Sequence, residues 1–158
     1  MRPDLTMALL IAATAVTGLL AGASLDQSIK QLPARHGIGA AAYSRYSQAA
    51  DLGNGIAFYG TLVAAVLLLN VGAAFAAYLR QVSGASAPVI YACALLAVLH
   101  SVVTGFAAPT NFAQRRATDE TELTAILDRF TQLQTLRCVL QVANFGADLW
   151  ALALVAAR

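Results

Sequence analysis

The chain has 158 residues, of which 59% are hydrophobic and 11% are charged, and its net charge at pH 7 is +2. Soluble domains carry roughly 25% charged residues, so this composition excludes a water-facing surface of the usual kind. The small net charge gives no indication of a nucleic-acid partner, and the sequence has no zinc-type cysteine spacing and no phosphate-binding glycine loop. An integral membrane protein is the class that remains.

Four apolar runs are long enough to cross a bilayer, whose apolar core of about 30 Å needs about 20 helical residues. They are residues 5–25, 53–79, 87–108 and 136–157. The sequence therefore predicts an all-α, multi-pass four-helix bundle, forming one transmembrane domain over residues 1–158, in the bacterial inner membrane with lipid as its surroundings.

The first run has a second interpretation as a signal peptide. Arg2 precedes it, and the small residues at 21–23 are typical of a cleavage site. The run is longer than the roughly 7–15 residues of a hydrophobic signal region, which favours a membrane span.

Two long polar segments, 26–52 and 109–135, connect these runs, and in an antiparallel bundle both lie on the same side of the membrane. They contain six of the basic residues, which indicates a cytoplasmic location under the positive-inside rule. Pro33, Gly37 and Gly39 are expected to interrupt the first segment. In the second, the spacing of Asp119 and Glu122 predicts the start of a short amphipathic helix that leads into the fourth span.

Polar residues recur along the fourth span in steps of three and four, which places them on one face of one helix. They are Gln134, Arg137, Gln141, Asn144 and Asp148. Ionisable groups at bilayer depth are costly unless they are paired or face a wet cavity, so this face is expected to point into the bundle. His100 in the third span lies at about the depth of Asn144.

Arg137, Asp148 and His100 are the candidate catalytic residues, because a guanidinium, a carboxyl group and an imidazole exceed what helix association needs. The predicted substrate-binding residues are Asn54, Asn111, Arg129, Gln134, Gln141 and Asn144. The alternative is a structural network in which the amides and hydroxyls only link helices, each hydrogen bond contributing about 1 kcal/mol.

His100 also has an interpretation as a haem or metal ligand, which would make the protein a membrane electron carrier. No second ligand at matching depth is visible in the sequence, so no cofactor is predicted and a haem or metal at His100 remains the alternative. Gly18 and Gly22 have the spacing of close helix packing, either within the bundle or between subunits of a homo-oligomer. A non-catalytic accessory subunit of a membrane complex is the third interpretation.

Three short motifs resemble the anthrone-oxygenase-like small membrane proteins, a largely uncharacterised family of four-helix proteins. They are Ala21-Gly22 followed by Pro33, then Ala108-Pro109-Thr110-Asn111, and Arg129-Phe130 with Arg137. In the family, the motif that corresponds to Arg129-Phe130 with Arg137 typically has a tryptophan directly after its first arginine, where this chain has Phe130. Gln134 stands at the polar position that follows in that motif.

The resemblance implies a cofactor-independent oxygenase that converts an anthrone to an anthraquinone with molecular oxygen. In that chemistry His100 or Asp148 would act as the base and Arg137 would hold the anion. The sequence thus predicts a membrane protein that binds a hydrophobic small molecule in a pocket within the bundle, with oxygenation of anthrone-like aromatics as its candidate oxidoreductase activity.

Overall fold

The computed structural model describes residues 5–157, which are helical almost throughout and contain no strand. Arg2, which bears on the signal-peptide interpretation, lies outside them. Four continuous helical stretches are long and apolar enough to cross a membrane: Leu5–Ile38, Ala40–Leu79, Ser86–Ala113 and Glu120–Ala156. The predicted all-α membrane bundle is confirmed, and these stretches indicate a multi-pass membrane protein.

Within these stretches the described residues form six α-helices. In chain order they are α1 Leu5–Asp26, α2 Leu32–Ile38, α3 Ala40–Ala49, α4 Gly55–Leu79, α5 Ser86–Ala113 and α6 Glu120–Ala156. Two π-helical turns join neighbouring helices: Gln27–Gln31 lies between α1 and α2, and Ala50–Asn54 lies between α3 and α4.

The first polar segment is helical apart from one sharp turn at Gly39. Its backbone has φ 86° and ψ 151°, a region that a residue with a side chain rarely adopts. Pro33 and Gly37, also expected to break the helix, lie inside α2. Pro33 closely follows the π-helical turn, in which the Leu32 N–H bonds to the Gln27 oxygen, and the helix continues through it despite its missing N–H.

We use the term cap for α2, α3 and the first part of α6, which extend beyond the apolar runs at one end of the bundle. Their apolar core comprises Leu32, Tyr43, Ala107, Leu123, Leu127 and Phe130. Arg35 on α2 donates to Asp128 on α6 at 2.6 Å, which joins the two polar segments at the same end.

The amphipathic stretch and the fourth span form one continuous helix. The Asp119 side chain accepts a hydrogen bond from the Glu122 N–H at 2.8 Å, which caps the helix where the sequence predicts its start. The 37 residues of α6 extend about 56 Å, at about 1.5 Å per residue, so this helix runs through both the cap and the bundle.

The opposite end of the bundle is closely packed. Its core combines small and aliphatic residues of all four spans: Leu10, Ala73, Ala74, Ala77, Ile90, Cys93 and Ala151. On α1, a Cβ added to Gly18 would lie 2.9 Å from Cε2 of Phe145 on α6, whereas one added to Gly22 would meet no atom within 4 Å. Gly18 therefore serves close packing within the bundle, and Cys93 and Cys138 are buried free thiols.

Candidate functional site

A cavity of about 310 Å³ lies between the cap-side halves of α4 and α5. Its walls come from Gly55 to Leu67 on α4 and from Ser101 to Phe112 on α5, with side chains of α1 and α6 behind them. This volume is at the lower end of small-molecule sites, which span roughly 300–1,000 Å³.

Most of the cavity wall is apolar. Leu20, Val63 and Phe130 line it from the bundle side, while Ile56 and Phe112 are 45% and 36% exposed and stand at its mouth. Because these exposed residues belong to spanning helices, the cavity opens sideways, toward the acyl chains of a surrounding bilayer. Gly60 leaves part of this space free, since a Cβ added there would meet no atom within 4 Å.

The polar end of the cavity is built where the two π-helical turns meet. Gln27 in the first turn donates through Nε2 to Oδ2 of Asp51 in the second, at 3.1 Å. Arg137 on α6 donates through Nη2 to Oε1 of Gln27 at 3.3 Å. All three side chains line the cavity. Each extra residue in a π turn rotates the side chains that follow, and such turns are frequent at functional sites.

The guanidinium group of Arg137 lines this cavity, and not all of its hydrogen-bond donors are used. Its side chain is buried, with 9% exposure, and its Nε has no hydrogen-bond partner among the described residues. A buried guanidinium with unused donors is destabilised unless an acceptor reaches it. A ligand oxygen inside the cavity would supply that acceptor.

Further hydrogen bonds hold Asp51 against the cap end of α5. Ser47 donates to Oδ2 of Asp51 at 3.3 Å, and Gln114 donates to Ser47 Oγ at 3.3 Å and to Asn111 Oδ1 at 2.5 Å. Asn111 also lines the cavity. We call Gln27, Ser47, Asp51, Asn111, Gln114 and Arg137 the rim network. It links the two π-helical turns with α3, α6 and the cap end of α5 around one end of the cavity.

Two of the residues predicted for the site, Arg137 and Asn111, line the cavity. Gln134 and Gln141 instead connect α6 to the end of α1: Gln134 Nε2 donates to Ser28 Oγ at 3.3 Å, and Gln141 Oε1 accepts from Ser24 Oγ. These two glutamines hold the helices behind the cavity together.

The other predicted residues lie elsewhere. Asn54 and Arg129 are exposed and do not belong to the cavity lining. His100 and Asp148 are fully buried outside it, and Asn144 donates to Oδ2 of Asp148 at 3.1 Å. The three predicted catalytic residues are therefore not brought together on one cavity wall.

His100 has no hydrogen-bond partner at either ring nitrogen among the described residues. The other histidine, His36, is exposed on α2 in the cap. Within residues 5–157 no group of three or more histidine, cysteine, aspartate or glutamate side chains converges. A haem or metal at His100 stays a prediction that a spectrum of the purified protein would test.

Gln27 and Asp51 line the cavity but are not among the predicted site residues. The only signal in the sequence is position: each stands directly beside an apolar run at the cap end, level with Arg137. The hydrogen bond between them depends on the two π turns, which leave no trace in the hydrophobic pattern.

The chain matches no protein-family model, no curated protein and no solved structure. The resemblance to the anthrone-oxygenase-like proteins therefore stays a prediction from its motifs. Among the residues of those motifs, Ala108, Asn111, Phe130 and Arg137 line the cavity, whereas Arg129 does not.

Proposed function

We propose that this protein binds a hydrophobic small molecule in the cavity between α4 and α5, with the polar edge of the molecule against the rim network. The observation that carries the proposal is the pair of opposite charges on one cavity wall, Arg137 and Asp51, held apart by Gln27. Arg137 offers donors to a carbonyl or phenolate oxygen, and Asp51 offers an acceptor to a hydroxyl group.

A hydroxylated aromatic ketone has this combination of groups on a flat apolar body. The apolar walls and the lateral opening suit a ligand that partitions into the bilayer before it enters. Charged hydrogen bonds in a largely apolar cavity discriminate strongly between ligands that make them and ligands that lack the matching group. We therefore expect selectivity for hydroxylated over unsubstituted aromatics of the same size.

The proposal extends to oxidation of an anthrone-like ligand with molecular oxygen. A CH₂ group between two aromatic rings that conjugate it with a carbonyl is acidic, and its proton would pass to Asp51 while Arg137 stabilises the enolate oxygen. The carbanion takes up O₂ to give a peroxide anion, which takes the proton back from Asp51, and the hydroperoxide then loses water to leave a ketone. The balance is one CH₂ and one O₂ to one C=O and one H₂O.

Asp51 is the base in this proposal, because it lines the cavity and His100 and Asp148 do not. Asp51→Asn is expected to lower anthraquinone formation from 1,8-dihydroxyanthrone at least a hundredfold while retaining product binding. Absorbance of the product and oxygen uptake measure the rate. A rate in Asp51→Asn equal to that of the wild type would contradict this role of Asp51.

Binding itself is tested with 1,8-dihydroxyanthraquinone, a coloured probe, and protein in lipid nanodiscs. The wild type is expected to retain about one dye per chain above the amount in empty discs. Gly60→Leu fills the cavity and is expected to weaken dye binding at least tenfold. Gly105→Leu, on the exposed face of α5 with no atom near its added Cβ, is the matched control and should bind like the wild type.

Equal dye binding by the wild type and Gly60→Leu would contradict the cavity as the binding site. Dye retention no greater than in empty discs would contradict binding of this ligand class. Since a Cβ added to either glycine would meet no atom within 4 Å, folding is expected to be preserved in both variants.

We also propose that the cap faces the cytoplasm of a bacterial inner membrane. Lys30, Arg35, Arg45, Arg115, Arg116 and Arg129 belong to the polar segments at the cap end, whereas Arg80 lies in the short connection at the other end. The positive-inside rule favours this orientation.

Assembly into a homo-oligomer through the open surface at Gly22 is a further proposal that size measurement in detergent would test.

A further inference from the structure

The centre of the bundle contains a buried carboxyl group that the cavity does not use. Asp148 on α6 is 0% exposed and lies eleven residues beyond Arg137, about 16 Å along the helix at about 1.5 Å per residue. An ionisable residue at this depth is a candidate functional group by default.

All four spans contribute side chains around this carboxyl group. Thr17 of α1, Asn70 of α4, Cys93 of α5 and Asn144 of α6 lie near enough to interact with it. Thr17, Asn70 and Asn144 are each 0% exposed. We call Asp148, Asn144, Asn70 and Thr17 the central cluster.

The orientation of both amides in the central cluster follows from their bonded nitrogen atoms. Asn70 Nδ2 donates to the backbone oxygen of Val66 at 3.0 Å, and Asn144 Nδ2 donates to Oδ2 of Asp148 at 3.1 Å. Only the nitrogen of an amide can donate to an oxygen acceptor. Each amide oxygen is therefore left on the other side of its group, free to accept.

Four buried oxygen atoms of the central cluster have no hydrogen-bond partner among the described residues. They are Oδ1 of Asp148, Oδ1 of Asn70, Oδ1 of Asn144 and Oγ1 of Thr17. Other hydroxyls in the spans, including those of Thr14 and Thr104, donate to the carbonyl four residues earlier in their own helix. Thr17 does not use this common arrangement, so its oxygen is available to the cluster.

Buried acceptors without a donor destabilise the fold, and several around one carboxylate do so strongly. A cation bound among these oxygens would remove this cost. Carboxylate, amide carbonyl and hydroxyl oxygens are ligands of hard cations. With one carboxylate in the cluster, a monovalent ion gives a neutral site, whereas a divalent ion would leave an uncompensated charge in an apolar interior.

We propose that the central cluster binds a hard monovalent cation, Na⁺ being the ion that we would test first. Asp148 supplies the negative charge, and Asn70, Asn144 and Thr17 supply neutral oxygens from three helices. The ion would thereby tie α1, α4 and α6 together at the middle of the membrane. This site is independent of the cavity and of the ligand proposed for it.

The experiment measures thermal unfolding of the purified full chain in detergent, in NaCl against choline chloride at equal ionic strength. Binding to the folded state alone raises the melting temperature with a saturable dependence on ion concentration. The wild type is expected to show this dependence with NaCl and none with choline. Stabilisation by KCl as well would support the same site with weak selectivity between the two ions.

Thr17→Val and Thr14→Val form a matched pair on α1. Both replace a buried hydroxyl by a methyl group of the same shape, but only Thr17 has its oxygen in the cluster. Thr17→Val is expected to raise the apparent Kd for Na⁺ about tenfold, and Thr14→Val to leave it unchanged. Asp148→Asn is expected to abolish the response to Na⁺. Should that variant not fold, the threonine pair still decides the test.

Two results would overturn the proposal. One is a wild-type melting temperature that is equal in NaCl and choline chloride, which would indicate a protonated Asp148 bonded to its neighbours. The other is an unchanged Kd for Na⁺ in Thr17→Val, which would show that any ion effect arises elsewhere.

Discussion

The rim network and the central cluster lie on the same face of α6 but differ in how their polar atoms are bonded. In the rim network, side chains of four elements form a chain of hydrogen bonds from Arg137 through Gln27 to Asp51 and Ser47. In the central cluster, the carboxyl group of Asp148 has one bonded oxygen, and its other oxygen and those of Asn70, Asn144 and Thr17 have no hydrogen-bond partner within residues 5–157.

The surroundings of the rim network and of the central cluster also differ. The rim network borders a cavity that opens sideways, so a molecule of substantial size can reach it. The central cluster is fully buried, each of its four side chains being 0% exposed, and the ligand proposed there is an ion. One polar stripe on one helix thus contributes to both proposed sites, which differ in exposure and in the bonding of their polar atoms.

The largest loss of stability is expected at Gln27, which joins the two charged residues of the rim network, Arg137 and Asp51. Gln27→Leu removes the acceptor of Arg137 and a donor to Asp51. Losing two hydrogen bonds to charged groups is expected to lower the free energy of unfolding by about 3 kcal/mol. Unfolding in mixed micelles measures the change, with the exposed Gln132→Leu as control.

The same variant should leave the ion dependence of the central cluster in place, because Gln27 contacts α6 at Arg137, eleven residues before Asp148. The free energies of unfolding of Gln27→Leu and Gln132→Leu could instead agree within error. That result would show that the bridge formed by Gln27 between Arg137 and Asp51 contributes nothing to stability.

A smaller effect is expected where α1 packs on α6. Gly18→Val places atoms within 3 Å of the Phe145 ring. Either the Phe145 ring or α1 must shift to relieve this contact, and overpacking of this kind lowers stability by about 2 kcal/mol. Because Thr17 is the adjacent residue, the variant should also weaken the Na⁺ response while dye binding in the cavity stays unchanged.

Gly22→Val is the control for this substitution, since it lies one turn along α1 with no atom near its added Cβ. Equal stability of the two glycine variants would contradict the close approach of α1 and α6. A loss of dye binding in Gly18→Val would show that the two sites are coupled.

The fold was largely predictable from the sequence, because each apolar run is long enough to span a bilayer and Asp119 with Glu122 marks the start of α6. The cap was predicted only in part. Its helices are continuous with the spans, since the helix continues through Pro33 and the backbone between α1 and α2 makes a π-helical turn instead of a loop.

The candidate site was harder to predict because it depends on contacts between helices. A repeat of three and four residues places Arg137 and Asp148 on one face, but it cannot show that one reaches a cavity and the other does not. Gln27 and Asp51 meet through two π turns that have no sequence signature. Asn54, at the edge of an apolar run like Asp51, is exposed because the second turn directs it outward.

The central claim is that Arg137 recognises the polar edge of a ligand in the cavity. The direct measurement compares binding of 1,8-dihydroxyanthraquinone and unsubstituted anthraquinone to the wild type, Arg137→Gln and the exposed control Arg129→Gln in nanodiscs. We expect a preference for the hydroxylated dye of at least tenfold in the wild type and Arg129→Gln, and its loss in Arg137→Gln. An equal preference in all three proteins would contradict it.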